Sequence, residues 1–283
     1  MKRKLNLFVS LNSNYYLFLP WCNKSFLECC TVDAFFWFQP QDRLLRLCYK
    51  LHILPRITIQ KSAVRKRNKE YNRIIIHAAL TNEQVRILAA ENCRPILYLW
   101  DDNYAKDISY RLLFLKENLD IYAFSEESAK RTGTKLNPTF YVRPPIGRFD
   151  MLTLPTTDIF FCGGARDRRE TLLQAMQDFQ AQGLQTDFHV HKADPPLTHS
   201  GWINEPEWLS YDDTIRMMLR ARAIFDCYAY GATGYTLRVM EHMFFSKKLI
   251  TTNALVRQAD FYNPANIFVY GEDDITTLKA WLD

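Results

Sequence analysis

Two stretches of this chain carry residue types that suit an anionic ligand. The first is Gly231 to Asn253, GATGYTLRVMEHMFFSKKLITTN. Its pattern predicts a glycine-bearing turn and a helix from about Thr236 to Phe245. A basic turn at Ser246, Lys247 and Lys248 and a buried strand from Leu249 to Thr252 follow. A helix start leaves backbone N–H groups unpaired and pointing outward, and the helix dipole adds partial positive charge there. Gly234, Tyr235 and Thr236 line that start. Arg238 and Glu241, three residues apart, share one face of the helix. Toward a ligand they offer a phosphate partner and a hydroxyl acceptor. Toward solvent they are an ion pair worth about 0.2–0.5 kcal/mol.

The second stretch is Gly163-Gly164-Ala165-Arg166-Asp167-Arg168-Arg169. Two glycines let the backbone approach a ligand closely, and arginines such as Arg166 and Arg169 present forked donors to phosphate oxygens. The third glycine of a dinucleotide fingerprint is absent. Positive charge at a helix start opposes the macrodipole, so the arginines need another reason, and an anion supplies one. A diphosphate together with a ribose, as in a sugar nucleotide, fits both stretches. Asp101-Asp102-Asn103 closes a predicted strand earlier in the chain. A carboxylate there can deprotonate an acceptor hydroxyl, hold a divalent cation or cap the next helix.

The elements that must position these residues alternate. Strands are predicted at Leu5–Leu11, Arg73–His77, Pro95–Trp100 and Ile121–Phe124. Helices are predicted from Thr81 to Glu91, Asp107 to Asn118 and, capped by Ser125, Glu126 to Arg131. Pro138, Pro144, Pro145, Gly147 and Pro155 then interrupt the pattern and mark an interdomain linker. A second series follows: strands at Asp158–Cys162, Thr186–His191 and Ala223–Cys227, helices at Arg169–Gln182 and Asp212–Arg220, with Pro195 to Glu207 as irregular loop. Such alternation implies parallel sheets in an α/β fold with domains at 1–145 and 146–283. Ligands then bind beyond the carboxyl ends of the strands, where all three candidate stretches lie.

Composition narrows the classes. The net charge of +5 is uneven, with the first half basic and the second acidic. Most of the excess lies between Arg43 and Arg73, where Glu70 is the only acidic residue. Asp33-Ala-Phe-Phe-Trp-Phe precedes it, and Leu44, Leu47 and Leu51 lie within it. An apolar face beside a basic one suits an anionic membrane surface, so residues 33–73 are expected to touch one; leucines facing the core are the alternative. No nucleic-acid-binding motif appears, and nucleic acid is not expected as a partner. No apolar run reaches the roughly twenty residues of a membrane span, and Asn6, Asn12 and Asn14 break up a signal-peptide core. The seven cysteines include no C-x-x-C pair, and the histidines show no metal-ligand spacing, so neither a disulfide framework nor a metal site is expected. His189 and His191 alternate along a strand, share a face and are expected to be structural.

With these pieces in place the chain resembles bacterial GT-B glycosyltransferases of lipopolysaccharide, capsule and exopolysaccharide biosynthesis. The residues that carry the likeness are Gly231–Asn253, Asp260-Phe-Tyr-Asn-Pro-Ala-Asn-Ile-Phe-Val269, Leu209-Ser-Tyr-Asp-Asp213, Tyr122–Lys130 and Leu136–Tyr141. The likeness implies two Rossmann-like domains facing a central cleft, with the acceptor on the N-terminal side and the nucleotide sugar on the C-terminal side. It implies glycosyl transfer to a glycan or lipid-linked acceptor without a metal or other cofactor, and the basic, aromatic segment is expected to bring this cytoplasmic enzyme to the inner membrane face. Arg166 and Arg169 then meet the diphosphate, Glu241 meets the ribose, and Asp101 or Asp102 acts as base. Many retaining members carry two glutamates eight positions apart; Glu241 matches the second, while the first falls on Thr233. The alternatives are a metal-dependent GT-A-type enzyme using Asp101 and Asp102, and a non-catalytic GT-B-like binding subunit at the membrane.

Overall fold

The structure is a computed structural model. It describes residues 6–10, 30–34, 43–51, 53, 58, 60–65, 73–76, 83, 87, 90, 96–99, 119–138, 141, 147–228 and 234–283. The chain divides into two compact units, Met1–Pro145 and Ile146–Asp283. Asp101, Asp102, Asn103, the stretch predicted as helix from Asp107 to Asn118, the aromatic run after Ala34, Gly231 and Thr233 lie outside the described residues. So does the side chain of Arg166.

The first unit is built on a six-stranded sheet of β1 (Asn6–Ser10), β2 (Cys30–Ala34), β3 (Arg73–Ile76), β4 (Ile96–Leu99), β5 (Asp120–Ala123) and β6 (Lys135–Leu136). The order is β2-β1-β3-β4-β5-β6, and every neighbouring pair is parallel. Leu97, Tyr98 and Leu99 are buried in succession, as a strand covered on both faces requires. Helix α1 (Arg43–Lys50) opens the basic segment. Leu44, Leu47, Leu51 and Ile53 are exposed on and just after it, so these leucines do not face the core. Helix α2 (Glu126–Thr132) starts where Ser125 accepts from the Ser128 amide and stops at left-handed Gly133.

The second unit has β7 (Thr157–Gly164), β8 (Thr186–His191), β9 (Trp202–Glu205), β10 (Ala221–Asp226), β11 (Lys248–Thr251) and β12 (Ile267–Val269). Its order is β12-β11-β10-β7-β8-β9, again all parallel. The chain steps outward from β7 to β9, returns to β10, and steps outward the other way. The point of reversal therefore lies between β7 and β10, where open α/β sheets bind ligands. On one face Phe161, Phe188 and Phe225 pack beneath Leu172, Met176 and Phe179 of α3 (Arg169–Ala181). Phe188 and Phe225 stack at 5.7 Å, and Phe179 meets Phe225 edge-on at 5.2 Å. Helix α4 (Tyr211–Leu219) touches β7 and β10, and α5 (Leu237–Phe244) touches β10 and β11. A last short helix, α6 (Leu278–Leu282), buries Leu278 and Leu282 in the α3 core.

The segment from Pro195 to Glu207 is not wholly irregular, because β9 lies inside it. Gly201 sits at φ +79°, and a Cβ there would collide with Thr186. Trp202 is buried, and its indole N–H donates to Asn204 at 3.0 Å. The basic turn between α5 and β11 is also internal. The Lys247 ammonium donates to the carbonyls of Leu219 and Ala221 at 2.6 and 2.8 Å, closing the end of α4. Lys248 donates to the carbonyls of Trp281 and Leu282.

Candidate functional site at the strand reversal

The carboxyl ends of β7 and β10 each run into one of the two glycine-bearing stretches. After β7, the Arg166–Arg168 turn leads directly into α3. A Cβ on Gly163 would come within 3.0 Å of the Phe161 ring and 3.1 Å of the Arg168 guanidinium, so a side chain there would press on both. Arg168 reaches back across the strand ends. Its Nε donates to the Gly164 carbonyl at 2.9 Å, its Nη1 donates to the Cys227 carbonyl, and its guanidinium lies 5.6 Å over the Phe161 ring. This gives Arg168 an internal reason for standing at a helix start. Arg169 donates to the Pro195 carbonyl at 3.2 Å through Nη2, while its buried Nε has no partner among the described residues.

The second stretch enters α5. Gly234 adopts φ +94°, open to glycine. Its carbonyl accepts from the Tyr228 hydroxyl at 2.5 Å and from Asn253 Nδ2 at 3.0 Å. Thr236 caps the helix by accepting from the Arg238 amide at 3.1 Å. The same hydroxyl donates to Asp226 Oδ1 at 3.0 Å. Asp226 is 2% exposed, and its other oxygen accepts from Thr251 at 3.0 Å. Burial pushes the Asp226 carboxyl above the usual range; the two threonine hydroxyls and the charges of Arg168 and Arg238 pull it back. Tyr235 packs edge-on against Phe261 at 5.1 Å.

Arg238 and Glu241 meet each other, not open space. Glu241 is fully buried, with one oxygen paired to Arg238 and the other accepting from the Tyr211 hydroxyl at 2.6 Å. Arg238 also donates to the Cys162 carbonyl at 2.8 Å. The expectation that Glu241 meets ribose hydroxyls finds both its oxygens engaged and no surface offered; the pair binds α5 to α4 and β7. Cys162 is no candidate nucleophile, because burial raises its thiol, and burial pushes Cys227 up to about 12.

The fold adds residues that the sequence did not bring together. Asp226, Tyr228, Thr251 and Asn253 converge on the start of α5 across strand ends, which no local spacing reveals. At the end of β8, His191 packs against Trp208 with ring centres 4.0 Å apart and planes tilted by 35°. Its Nδ1 faces the Glu205 carbonyl at 3.2 Å, and its buried Nε2 has no partner among the described residues. His189 does have carboxylate partners: Glu205 at 2.5 Å and Asp187 at 3.0 Å. Among the described residues no group of three or more His, Cys, Asp or Glu is placed to hold a metal ion.

The two parallel six-stranded sheets, one in each unit, are those of a GT-B-type α/β fold. A solved alpha-glucosyltransferase, in complex with UDP and a 13-mer DNA containing a HMU base, has a similar fold at 8% identity. The match covers 97% of this chain and 84% of that one, with a TM-score of 0.50. Spinosyn forosaminyltransferase SpnP matches at 11% identity over 99% and 90% of the two chains, with a TM-score of 0.47. The glycosyltransferase SnogD from Streptomyces nogalater matches at 11% identity over 88% and 82%, with a TM-score of 0.39. No family model and no curated protein matches the sequence.

Proposed function

We propose that this chain is a sugar-nucleotide-dependent glycosyltransferase whose donor site lies at the strand reversal of the second unit. The observation that carries the reading is the pairing of two turns on neighbouring strands. The Ala165–Arg168 turn follows β7, which ends on Gly163 and Gly164, and the Gly234–Thr236 turn follows β10; β7 and β10 are hydrogen-bonded neighbours. Each opens a helix whose backbone N–H groups suit phosphate oxygens. Gly163, Gly164, Arg166 and Arg169 line one side; Gly234, Tyr235 and Thr236 line the other. Arg238 and Glu241 brace α5 beneath the ligand. The Arg169 guanidinium, half-buried beside the Pro195 carbonyl, and the His191–Trp208 pair add a cation and an aromatic wall for the rest of a nucleotide. Positive groups stabilise the leaving nucleoside diphosphate as charge develops on it. Asp101 or Asp102 is our assignment for the base of an inverting reaction, and no metal is required.

The acceptor we favour is a lipid-linked or membrane-bound glycan of bacterial surface polysaccharide synthesis. Helix α1 supports it, with exposed Leu44, Leu47, Leu51 and Ile53 beside exposed Arg43 and Lys50, a surface suited to anionic headgroups on the cytoplasmic face. No described helix is long and apolar enough to cross a membrane. A GT-B-type fold removes the basis for the GT-A alternative.

The test is calorimetric titration with UDP, GDP, CDP, dTDP and ADP, followed by transfer assays with the sugars of whichever binds. Binding by at least one, weakened roughly tenfold in Arg169→Met, is the expected result. No binding by any of them sinks the donor-site reading. Binding without transfer or hydrolysis returns the chain to a non-catalytic subunit. Vesicle flotation with and without anionic lipid tests α1, with Leu47→Glu expected to stay in the soluble fraction.

A further inference from the structure

The buried carboxylate of Asp226 has no place in the donor site as drawn so far, yet it stands at the centre of its hydrogen bonds. It closes β10, the strand that leads into the α5 start, and is almost wholly removed from water. Both of its oxygens accept from threonine hydroxyls, Thr236 on one side and Thr251 on the other, each at 3.0 Å. Both hydroxyls donate to it, so both hydroxyl hydrogens point at the carboxylate oxygens. The threonine lone pairs are thereby turned toward backbone amides. Thr236 accepts from the Arg238 amide and Thr251 from the Asn253 amide, each at 3.1 Å. Asn253 in turn holds the Gly234 carbonyl through Nδ2, and the chain leaving Asp226 holds it again through the Tyr228 hydroxyl.

We propose that Asp226, acting through Thr236, Thr251 and Asn253, is a positioning residue that fixes the Gly234 turn and holds the start of α5 in place for the donor diphosphate. The role rests on the donor-site reading and goes beyond it, because Asp226 and Thr251 are buried and touch no ligand. A single acceptor-only group sets the direction of two hydroxyls, and those hydroxyls set the two ends of the turn. An asparagine cannot do this. Its oxygen accepts one hydroxyl, while its nitrogen only donates and forces the other to turn its hydrogen away.

Thr251 separates this role from simple packing. It is fully buried on β11, so Thr251→Val keeps the volume and removes the hydroxyl, whereas Thr251→Ser keeps the hydroxyl. The experiment takes whichever of UDP, GDP, CDP, dTDP and ADP binds the wild-type chain best and measures its affinity for Asp226→Asn, Thr251→Val and Thr251→Ser. Amide hydrogen exchange is followed at Arg238 and Asn253 without ligand. Thr251→Val and Asp226→Asn are expected to weaken binding about fivefold to tenfold, the scale of one buried hydrogen bond. Thr251→Ser is expected to stay within about twofold of wild type. Exchange is expected to quicken at Asn253 in Thr251→Val and at both amides in Asp226→Asn. Affinities equal to wild type in Asp226→Asn and Thr251→Val overturn the role of Asp226 and leave the donor site standing. Loss in Thr251→Ser equal to that in Thr251→Val, or unchanged exchange, also overturns it. A wild-type chain that binds none of the five removes the donor-site reading itself, and this role with it.

Discussion

The turns after β7 and β10 lie on neighbouring strands and are held by opposite chemistry. The β7 turn is held by a cation: Arg168 donates to the carbonyls of Gly164 and Cys227 and ties the two strand ends together. The β10 turn is held by an anion: Asp226 collects two hydroxyls, and those hydroxyls order two amides. Carbonyls crowd one strand end and need a donor; amides crowd the helix start and need acceptors. The comparison teaches that a charged residue beside a candidate ligand site is not thereby a ligand residue. Arg168, Asp226, Arg238 and Glu241 all frame the site from within. Of the arginines after β7, Arg169 is the one whose described side chain keeps an unpartnered buried donor.

Glu241→Ala is expected to do the most damage. It leaves Arg238 without its counter-charge and takes an acceptor from Tyr211 in a fully buried setting. Breaking a buried pair from one side costs about 3–5 kcal/mol. Urea unfolding measures it, and Glu241→Ala with Arg238→Met is expected to recover part of the loss. A Glu241→Ala chain as stable as wild type that has lost nucleotide binding would instead make Glu241 a ligand residue.

The two arginines of the β7 turn are expected to separate cleanly. Arg168→Met removes two hydrogen bonds to buried strand ends and a cation–π contact, about 2–3 kcal/mol of stability. Arg169→Met removes one near-surface bond and is expected to cost under about 1 kcal/mol. The order reverses for nucleoside diphosphate affinity, read directly, where Arg169→Met loses more. Equal effects of both substitutions on both measurements would erase the distinction between frame and ligand residues.

How far this arrangement could be read from the sequence differs between fold and site. Thr186–His191 forms the strand expected of it, and Ser125 caps the helix expected to follow it. These signals are local, carried by neighbouring residues. Strand β9 was hidden because it has four residues between a proline pair and a helix cap, with too few positions to show alternation. Strand β12, with three residues, offered less. The candidate site was legible as a place, since glycines in a glycine-poor chain fall at strand ends. Its partners were not. Tyr211 and Glu241 are 30 residues apart, and Arg168 and Cys227 are 59 apart. Spacing shows that Arg238 and Glu241 share a helix face but not that this face is turned inward, because that depends on what packs against it.

Thr236 sits where the two kinds of support meet, as helix cap and as donor to Asp226. Thr236→Val is expected to cost about 1–2 kcal/mol in thermal or urea unfolding, the range of a lost N-cap. Thr236→Ser, which can make both bonds, is expected to recover most of it. A loss no greater than about 0.5 kcal/mol would mean that the α5 start is held by packing, and that the relay from Asp226 adds little.

The smallest effect is expected away from both turns, at the β8–β9 edge, where His189 lies between Glu205 and Asp187. Both ring nitrogens can donate only as the imidazolium. Burial opposes that charge, but hydrogen bonds to Asp187 and Glu205 and their negative charges outweigh it, so the pKa of His189 is raised above 6.5. The folded chain therefore holds the proton more tightly than the unfolded one. The stabilisation is fully present below the unfolded value of about 6.5 and is lost as pH rises through the folded value. Wild-type stability minus that of His189→Gln is expected to fall over that rise, by about 1 kcal/mol at most because Asp187 reaches solvent. Nucleoside diphosphate affinity is expected to show no such wild-type-minus-variant trend. A matching trend in affinity would mean that the charge on His189 acts on the bound nucleotide and does not serve the stability of the β8–β9 edge alone.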